Sequence, residues 1–399
     1  MNQYIARLAN IAAKPTRTII GLMSGTSLDG LDIALCEIDG CGVHTKVKVP
    51  YFTTIPFDQH FKDLVRAVFS KKTVDLELLC VLNPWIAVQH ANMILAALKE
   101  WGINAADVDL IASHGQTIYH APKILHQKKI FGNATLQIGD GDHLAVNTGI
   151  ITISDFRQKH IAAGGEGAPL AVYGDYLVFS KLGENRIMLN IGGIANFTFL
   201  AEDLDVSKVF STDTGPGNTL MDAYAQLHFN IPFDKDATIA KQGVCNNLLL
   251  KTLMQNDFFD QPFPKTTGPE LFNLNYLNNA ITNAQLMGIS HYDVMATLNS
   301  FTANTIVAAL KQTMNIEKEY VVYSSGGGMH NPLLMDQIQA QLLNCKFFTT
   351  NALNIHPDAK EAVLFALLAN ECVAGGNIPI GGGAADIPMV VMGKISLPG

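Results

Sequence analysis

The chain has 399 residues, 48% of them hydrophobic, a length that suits two lobes of about 150–200 residues better than a single domain. Only 16% of residues are charged. With 27 Lys and Arg against 35 Asp and Glu, the formal net charge of −8 argues against a nucleic-acid partner, which needs clustered basic charge.

The N-terminal stretch Met1–Arg17 carries Arg7, Lys14 and Arg17 and no acid, but has no continuous apolar core or cleavage site. It reads as a frayed extension, with a transit peptide as the other reading. Thr18–Met23, the turn Ser24–Gly30 and Leu31–Ile38 then form a strand, tight turn and strand, and Val47–Ile55 adds a third extended segment. Two helices follow, Gln59–Ser70 and a longer one from Val74 to about Trp101, bent or broken near Pro84. Within the second, Leu79–Leu98 is interrupted by Asn83, Pro84, Gln89, His90 and Asn92, too polar a run for a membrane span of about 20 apolar residues. Asp109–Ala112 is a buried strand running into His114. Leu136–Ile138, a helix to about Asn147 and a strand at Ile150–Ser154 complete the half.

The second half repeats the scheme. Arg186–Ile191, a Gly192-Gly193 turn and Phe197–Leu200 form another hairpin, and a strand at Lys208–Ser211 enters Asp213-Thr-Gly-Pro-Gly-Asn218 before a helix over Met221–His228. Tyr320–Ser324 is a strand ending in Ser325-Gly-Gly-Gly328, with a helix from about Pro332 to Leu343. Cys345–Thr349 and a helix from about Asp358 to Cys372 follow. Three strands and then alternating helices and strands, twice over, imply two similar α/β lobes with partly parallel sheets, joined near residues 155–165. The six cysteines (36, 41, 80, 245, 345 and 372) form no C-x-x-C pair, and several lie in apolar runs. They read as free thiols of a reducing, cytoplasmic compartment.

Four glycine-rich loops each follow a strand: Ser24–Asp32, Gly192–Asn196, Asp213–Asn218 and Ser325–Asn331. Backbone N–H groups approach an anion closely where Cβ is missing, so four such loops point to phosphate. None matches the P-loop or the dinucleotide fingerprint. In the first loop Ser24, Thr26, Ser27, Asp29 and Asp32 offer hydroxyls and carboxylates suited to phosphate and a hydrated Mg²⁺; the other reading is a polar hairpin turn. Asp213 is either a helix-capping carboxylate or a general base at a strand end, with Pro216 in the first helical turn. Glu361 opens an apolar helix, where acids ordinarily serve as dipole partners. The histidines show no zinc pattern, and G-x-S-x-G is absent.

Ile20-Gly-Leu-Met-Ser-Gly-Thr-Ser-Leu-Asp-Gly-Leu-Asp32 resembles the opening signature of the anhydro-N-acetylmuramic acid kinases. Ser113-His-Gly-Gln-Thr117, Ala162–Pro169, Asn190–Asn196, Asp213–Asn218, Ser325–Gly328, Asp358–Ala362 and Gly393-Lys-Ile follow in the family's order, from about residue 18 to the C-terminus. The resemblance implies an actin, hexokinase and Hsp70 type of fold: two ribonuclease-H-like lobes with an interlobe nucleotide cleft. Its expected parts are an N-terminal extension (1–17), lobe I (18–158), lobe II (159–375) and a C-terminal segment (376–399) packing back on lobe I. It further implies an ATP- and Mg²⁺-dependent kinase of bacterial cell-wall recycling, cytoplasmic and homodimeric. Such an enzyme opens the 1,6-anhydro ring with water and phosphorylates O6.

By the same resemblance, Gly25, Thr26, Ser27, Leu28, Asp29, Gly30, Leu31 and Asp32 would cradle the phosphates, with Asp32 toward the metal. Gly192, Gly193, Gly215 and Gly217 would add phosphate-loop backbone, and Gly326, Gly327 and Gly328 would lie along the adenosine. Asp213 would be the base and Glu361 would orient water or sugar. Arg157 would take the sugar's lactyl carboxylate, and His114 and Gln116 would line the sugar pocket. The chain departs from the family pattern at His160 (Asp), at Glu166 (Gln) and in Gly381–Asp386, and these differences bear on sugar binding. Another sugar kinase of this fold, or an actin- or Hsp70-like ATPase, are the alternative readings.

Overall fold

The computed structural model describes residues 2–25, 28–168, 170–353, 355–376 and 390–399. Thr26, Ser27 and the Gly381–Asp386 segment, singled out above, lie outside the described residues. The N-terminal segment is helical rather than frayed. Helix α1 (Gln3–Ala13) is capped by the Asn2 side chain, which accepts the N–H groups of Tyr4 and Ile5. Arg7 reaches the Val108 carbonyl at 3.2 Å, and Lys14, just past the helix, pairs with Asp109 at 2.6 Å.

The chain continues through β1 (Thr16–Ser24), β2 (Gly30–Asp39), β3 (Lys46–Pro56), α2 (Gln59–Val68), α3 (Leu76–Trp101), β4 (Leu110–Ala121) and the single turn α4 (Lys123–His126). Then come β5 (Ala134–Ile138), α5 (Gly141–Thr148), β6 (Ile151–Ser154), α6 (Phe156–Ala162) and α7 (Ala171–Phe179). In this sheet the order is β12-β6-β4-β1-β2-β3, where β12 (Lys394–Ser396) comes from the C-terminus and β5 pairs with the far half of β4. The first three strands form an antiparallel meander, while β4 lies parallel to β1 and β6 parallel to β4. β12 runs antiparallel to β6.

Helix α3 is one element from its Asp75 cap to Gly102, whose φ of 70° ends it in the left-handed region. It runs through Pro84 without a break. The ring leaves the Cys80 carbonyl without its usual donor, and Cys80 is exposed, so water can serve it. By length and composition α3 is apolar enough to cross a membrane. Its Ile86, Ala87, His90, Ala91 and Ile94 are instead buried, and Ile86, Ala87 and Ile94 share a core with Leu31, Ile33 and Phe61.

A second sheet is built from β7 (Asn185–Ile191), β8 (Ile194–Leu200), β9 (Phe210–Pro216), β10 (Tyr320–Ser325) and β11 (Cys345–Thr349), in the order β11-β10-β7-β8-β9. Again the first three strands are antiparallel neighbours, β10 is parallel to β7, and β11 is parallel to β10. Between β9 and β10 run α8 (Thr219–Phe229), α9 (Asn247–Leu253), α10 (Asp257–Asp260), α11 (Leu274–Asn283) and α12 (His291–Thr313). α13 (Pro332–Gln341) links β10 to β11. Helix α12 is buried over most of its length and packs on β7 and β8 through Ala303, Ile306 and Leu310. Both sheets thus carry the ribonuclease-H-like order, a three-strand meander extended by two parallel strands.

Two compact units result. One holds Met1–Ser180, Val206–Lys208 and Asn354–Gly399; the other holds Lys181–Asp205 and Val209–Leu353. The expected boundary at 158 falls inside the first unit, which runs on through α7. Helix α14 (Lys360–Ala374), expected in the second lobe, belongs to the first. It approaches β1 so closely that a Cβ on Gly21 would stand 1.9 Å from the Ala362 carbonyl oxygen, and a Cβ on Gly174 would meet Leu364 at 2.8 Å. Two missing side chains let this helix return to the first sheet.

Candidate active site

In the first unit the β1–β2 hairpin is held from below. Ser24 donates to Gln116 Oε1, and Gln116 Nε2 lies 3.4 Å from the Gly25 carbonyl. Leu28 takes a left-handed φ of 59° with its side chain buried, a strain that this packing supports. The Asp29 carbonyl accepts the Phe57 N–H at 3.1 Å. Only glycine fits at Gly30, where a Cβ would stand 2.5 Å from the Ile55 oxygen. Leu31 and Asp32 continue into β2, and Asp32 accepts the Thr54 hydroxyl. Burial raises the Asp32 carboxyl above its usual range and nearby Asp358 and Asp29 add to this, while the Thr54 bond opposes them. Gln116, expected in the sugar pocket, is fully buried and braces the hairpin.

His114, within β4, meets Arg157, in the first turn of α6 just after β6. Arg157 Nε donates to His114 Nε2 at 3.0 Å, and Arg157 Nη1 donates to the Gly167 carbonyl at 2.6 Å. Since Nε2 accepts, the His114 proton sits on Nδ1, which is 2.9 Å from the Gly115 carbonyl. Burial and then the Arg157 charge push His114 down to about 3, so it is neutral at pH 7. Glu361 lies in the first turn of α14, exposed to solvent. Surrounding protein and the Asp32 charge hold its carboxyl above the usual range, with Lys360 and Arg157 opposing. Glu166 lines a surface cavity of ≈ 480 Å³ that Lys123 and Lys129 also line, so its charge faces a basic neighbourhood.

The second unit gathers the other three loops. Asp213 is inside β9 rather than at its end, and the register shifts after Asn196↔Asp213 so that Thr214 bulges. Such bulges re-aim side chains beside sites. Asp213 caps no helix: Oδ2 accepts the Thr267 N–H at 2.8 Å, and its own N–H donates to the Lys265 carbonyl at 2.9 Å. Burial pushes its carboxyl up to about 6; the Thr267 bond opposes this and the Glu270 charge adds to it. Pro216 ends the strand, and α8 starts after Asn218.

The Gly192-Gly193 turn and the loop after β9 are laced together. The Gly193 carbonyl accepts the N–H groups of Gly217 (2.9 Å) and Thr219 (3.1 Å), and the Gly192 carbonyl accepts that of Asn218 at 2.8 Å. Gly217 therefore supports the turn rather than offering its N–H to a ligand; a Cβ there would stand 2.2 Å from the Gly192 oxygen. Gly215 has a φ of 140°, accessible to few residues besides glycine. Gly326 and Gly328 lie against the end of β7, with hypothetical Cβ atoms 2.7 Å and 3.1 Å from the Ile191 oxygen, and Gly327 faces the Asn218 amide. Among the described residues, no group of three or more His, Cys, Asp or Glu side chains is arranged to hold a metal.

Thr54, Lys265 and Thr267 are the partners that the sequence reading missed. Each lies far along the chain from the acid it serves, and no local signal marks it. Asp222, one turn into α8 and pushed up to about 6 by burial, was also missed.

Residues 17–397 match the model of the family described as anhydro-N-acetylmuramic acid kinase. The chain is 55% identical over 400 residues to the anhydro-N-acetylmuramic acid kinase of Pseudoalteromonas atlantica, covering 100% of both chains. It is 54% identical to that of Pseudoalteromonas translucida over 99% of each, and 38% identical to that of Caldanaerobacter subterraneus over 98% of this chain and 100% of the relative. With a family match across nearly its whole length and full-length relatives at this identity, the chain belongs to the anhydro-N-acetylmuramic acid kinase family.

Proposed function

We propose that this protein uses ATP to convert 1,6-anhydro-N-acetylmuramic acid into N-acetylmuramate 6-phosphate and ADP, a step of bacterial peptidoglycan recycling carried out in the cytoplasm by a homodimer. The observation that carries the reading is Asp213, a carboxylate fixed within a strand by two backbone bonds and raised to about 6. That value keeps it ionised at pH 7 yet basic enough to take a proton.

In the proposed reaction Asp213 removes a proton from water as the water oxygen bonds to the anomeric carbon. The bond from that carbon to O6 breaks, and O6 receives the γ-phosphoryl group of ATP while ADP leaves. Arg157 keeps one Nη1 hydrogen and both Nη2 hydrogens for the substrate's lactyl carboxylate, a fork suited to two parallel bonds. Neutral His114 fixes the plane of that fork. Glu361, its carboxyl raised above the usual range by desolvation and the Asp32 charge, can hydrogen-bond the sugar or the water. Gly25 and Gly30 in the hairpin, and Gly192, Gly193, Gly215 and Gly326–Gly328 in the second unit, would present backbone N–H groups to phosphates and adenosine.

Mg²⁺ fits the first hairpin. Asp32, raised by burial and further by the Asp358 and Asp29 charges, would hold it, since hydrated Mg²⁺ needs only one or two carboxylates beside phosphate oxygens. When bound, it disperses charge on the transferring phosphoryl group. Thr54 keeps Asp32 oriented for that task.

The test is ADP release from Mg-ATP with and without the anhydro sugar. Release that depends on the sugar supports the reading. Steady release without it would favour an ATPase, and turnover only with other sugars would keep the fold but change the acceptor. In the same assay Arg157→Ala is expected to raise KM for the sugar about 10- to 100-fold, as loss of a charged bidentate contact does.

A further inference from the structure

We infer that His160 is a positioning residue that sets the direction of the Arg157 fork by holding the Gly167 peptide from its other side. The inference rests on the reading of Arg157 as the carboxylate partner. His160 lies three residues after Arg157 in the same short helix, α6, and it is buried at 1% exposure. Its Nδ1 accepts the Gly167 N–H at 2.9 Å, while the Gly167 carbonyl accepts Arg157 Nη1 at 2.6 Å. One glycine residue is thereby clamped at both its N–H and its carbonyl by two side chains one helical turn apart.

The hydrogen-bond roles fix the chemistry. A backbone N–H can only donate, so Nδ1 carries no proton and the ring proton is on Nε2. The ring is thus a neutral acceptor. Gly167 has a φ of 82°, and a Cβ on it would meet Ile161 at 2.9 Å and Arg157 Cβ at 3.5 Å, so the residue sits where only a bare backbone fits. The loop is tied at Gly165 as well: its N–H donates to the His160 carbonyl at 3.0 Å, and its carbonyl accepts Asn133 Nδ2 at 3.1 Å. From His160 the bonds run in one line through Gly167 to Arg157, then to His114 and the Gly115 carbonyl. Arg157 has its Nε and one Nη1 hydrogen fixed by this line, which leaves its outer edge aimed in a single direction. Without the His160 acceptor the buried Gly167 N–H loses its partner, and the peptide turns to find another. The Arg157 fork then loses its fixed anchor.

An acceptor at Nδ1 has a close mimic. Asn Oδ1 stands the same number of bonds from Cα and also accepts, so His160→Asn keeps the clamp and His160→Ala removes it. The experiment compares wild type, H160A, H160N, R157A and R157A/H160A by steady-state ADP release over a range of sugar, and by amide exchange of the segment 164–168. H160A is expected to raise KM for the sugar about tenfold with kcat within about twofold, the loss of one buried hydrogen bond. H160N should recover KM to within about threefold, and the double variant should be no worse than R157A, because both act through one group. Exchange at Gly167 should quicken in H160A and not in H160N. An unchanged KM in H160A, equal defects in H160A and H160N, or additive defects in the double variant would each overturn the inference. If the wild type turns over no anhydro sugar, the substrate reading fails, and exchange at Gly167 alone decides whether His160 holds the peptide.

Discussion

A carboxylate that gives up hydration to sit inside β9 costs the fold stability in return for basicity, and Asp213 shows both sides of that exchange. Its folded value of about 6 lies above the ordinary 3.8, so at neutral pH the unfolded chain holds the charge more easily than the native one. Asp213→Asn is therefore expected to lower kcat about 10²–10⁴-fold, the usual worth of a general base. It should also stabilise the fold at pH 7 by about 1–3 kcal/mol. The stabilisation should shrink as pH falls from 6 toward 4, where the native carboxyl takes up its proton. Wild-type kcat/KM for the sugar should fall about tenfold per unit below pH 6. A pH profile and a thermal melt of the two proteins check both halves. The acid itself was legible in the sequence, because it stands beside a Thr-Gly-Pro-Gly run. Its setting was not. Thr267 and Lys265 arrive from more than fifty residues away, and the bulge at Thr214 that extends the strand past Asp213 has no local signature.

Helix α14 carries Glu361, and its place is decided by a glycine on a strand far from it in sequence. A Cβ on Gly21 would overlap the Ala362 carbonyl, a backbone atom that cannot swing aside. Gly21→Ala is expected to destabilise the protein by about 1–3 kcal/mol, as overpacking does. By pushing the first turn of α14 outward it should also lower kcat for the sugar while leaving nucleotide binding little changed. A melt and a steady-state assay of the variant test this, and wild-type kcat with wild-type stability would contradict it. The helix was readable from its apolar run, but its address was not, since Gly21 lies in a stretch that already looks like part of a glycine hairpin. Pro84 misled in the opposite way. It looked like a breaker, yet burial of Ile86, Ala87 and Ile94 keeps α3 continuous, and only the exposed Cys80 turn is left a bond short. Strands were easier, because glycine turns punctuate them in both halves.

At the scale of the molecule, one strand order occurs twice, and it was legible as two runs of three strands followed by alternation. The resemblance led to a return of the chain to its first unit only from residue 376, whereas the return begins after residue 353, because nothing in local pattern distinguishes a helix that stays from one that goes back. The two units also differ in how they meet acid. In the first, burial pushes His90 and His160 down to about 4 and His114 to about 3, against an ordinary 6.5. The unfolded chain binds those protons first, so this contribution to stability is full above pH 6.5 and is lost as pH falls toward 4. Asp32 and Glu361 act in the opposite sense in that unit, but the histidines outnumber them and His90 has no hydrogen-bond partner at either nitrogen. In the second unit Asp213 and Asp222, both raised to about 6, gain protons more easily folded than unfolded over the same range. Limited proteolysis between pH 6.5 and 4 should therefore cut the first unit before the second, and His90→Leu should delay those cuts.

The most direct test of the account is the mass of the product formed in ¹⁸O-water from Mg-ATP and 1,6-anhydro-N-acetylmuramic acid. The product should be a sugar heavier by one phosphoryl group and one water, with the solvent oxygen on the anomeric carbon, and its formation should slow about 10²–10⁴-fold in Asp213→Asn. A product that gains the phosphoryl group alone, or label in phosphate with no change in the sugar, would contradict it.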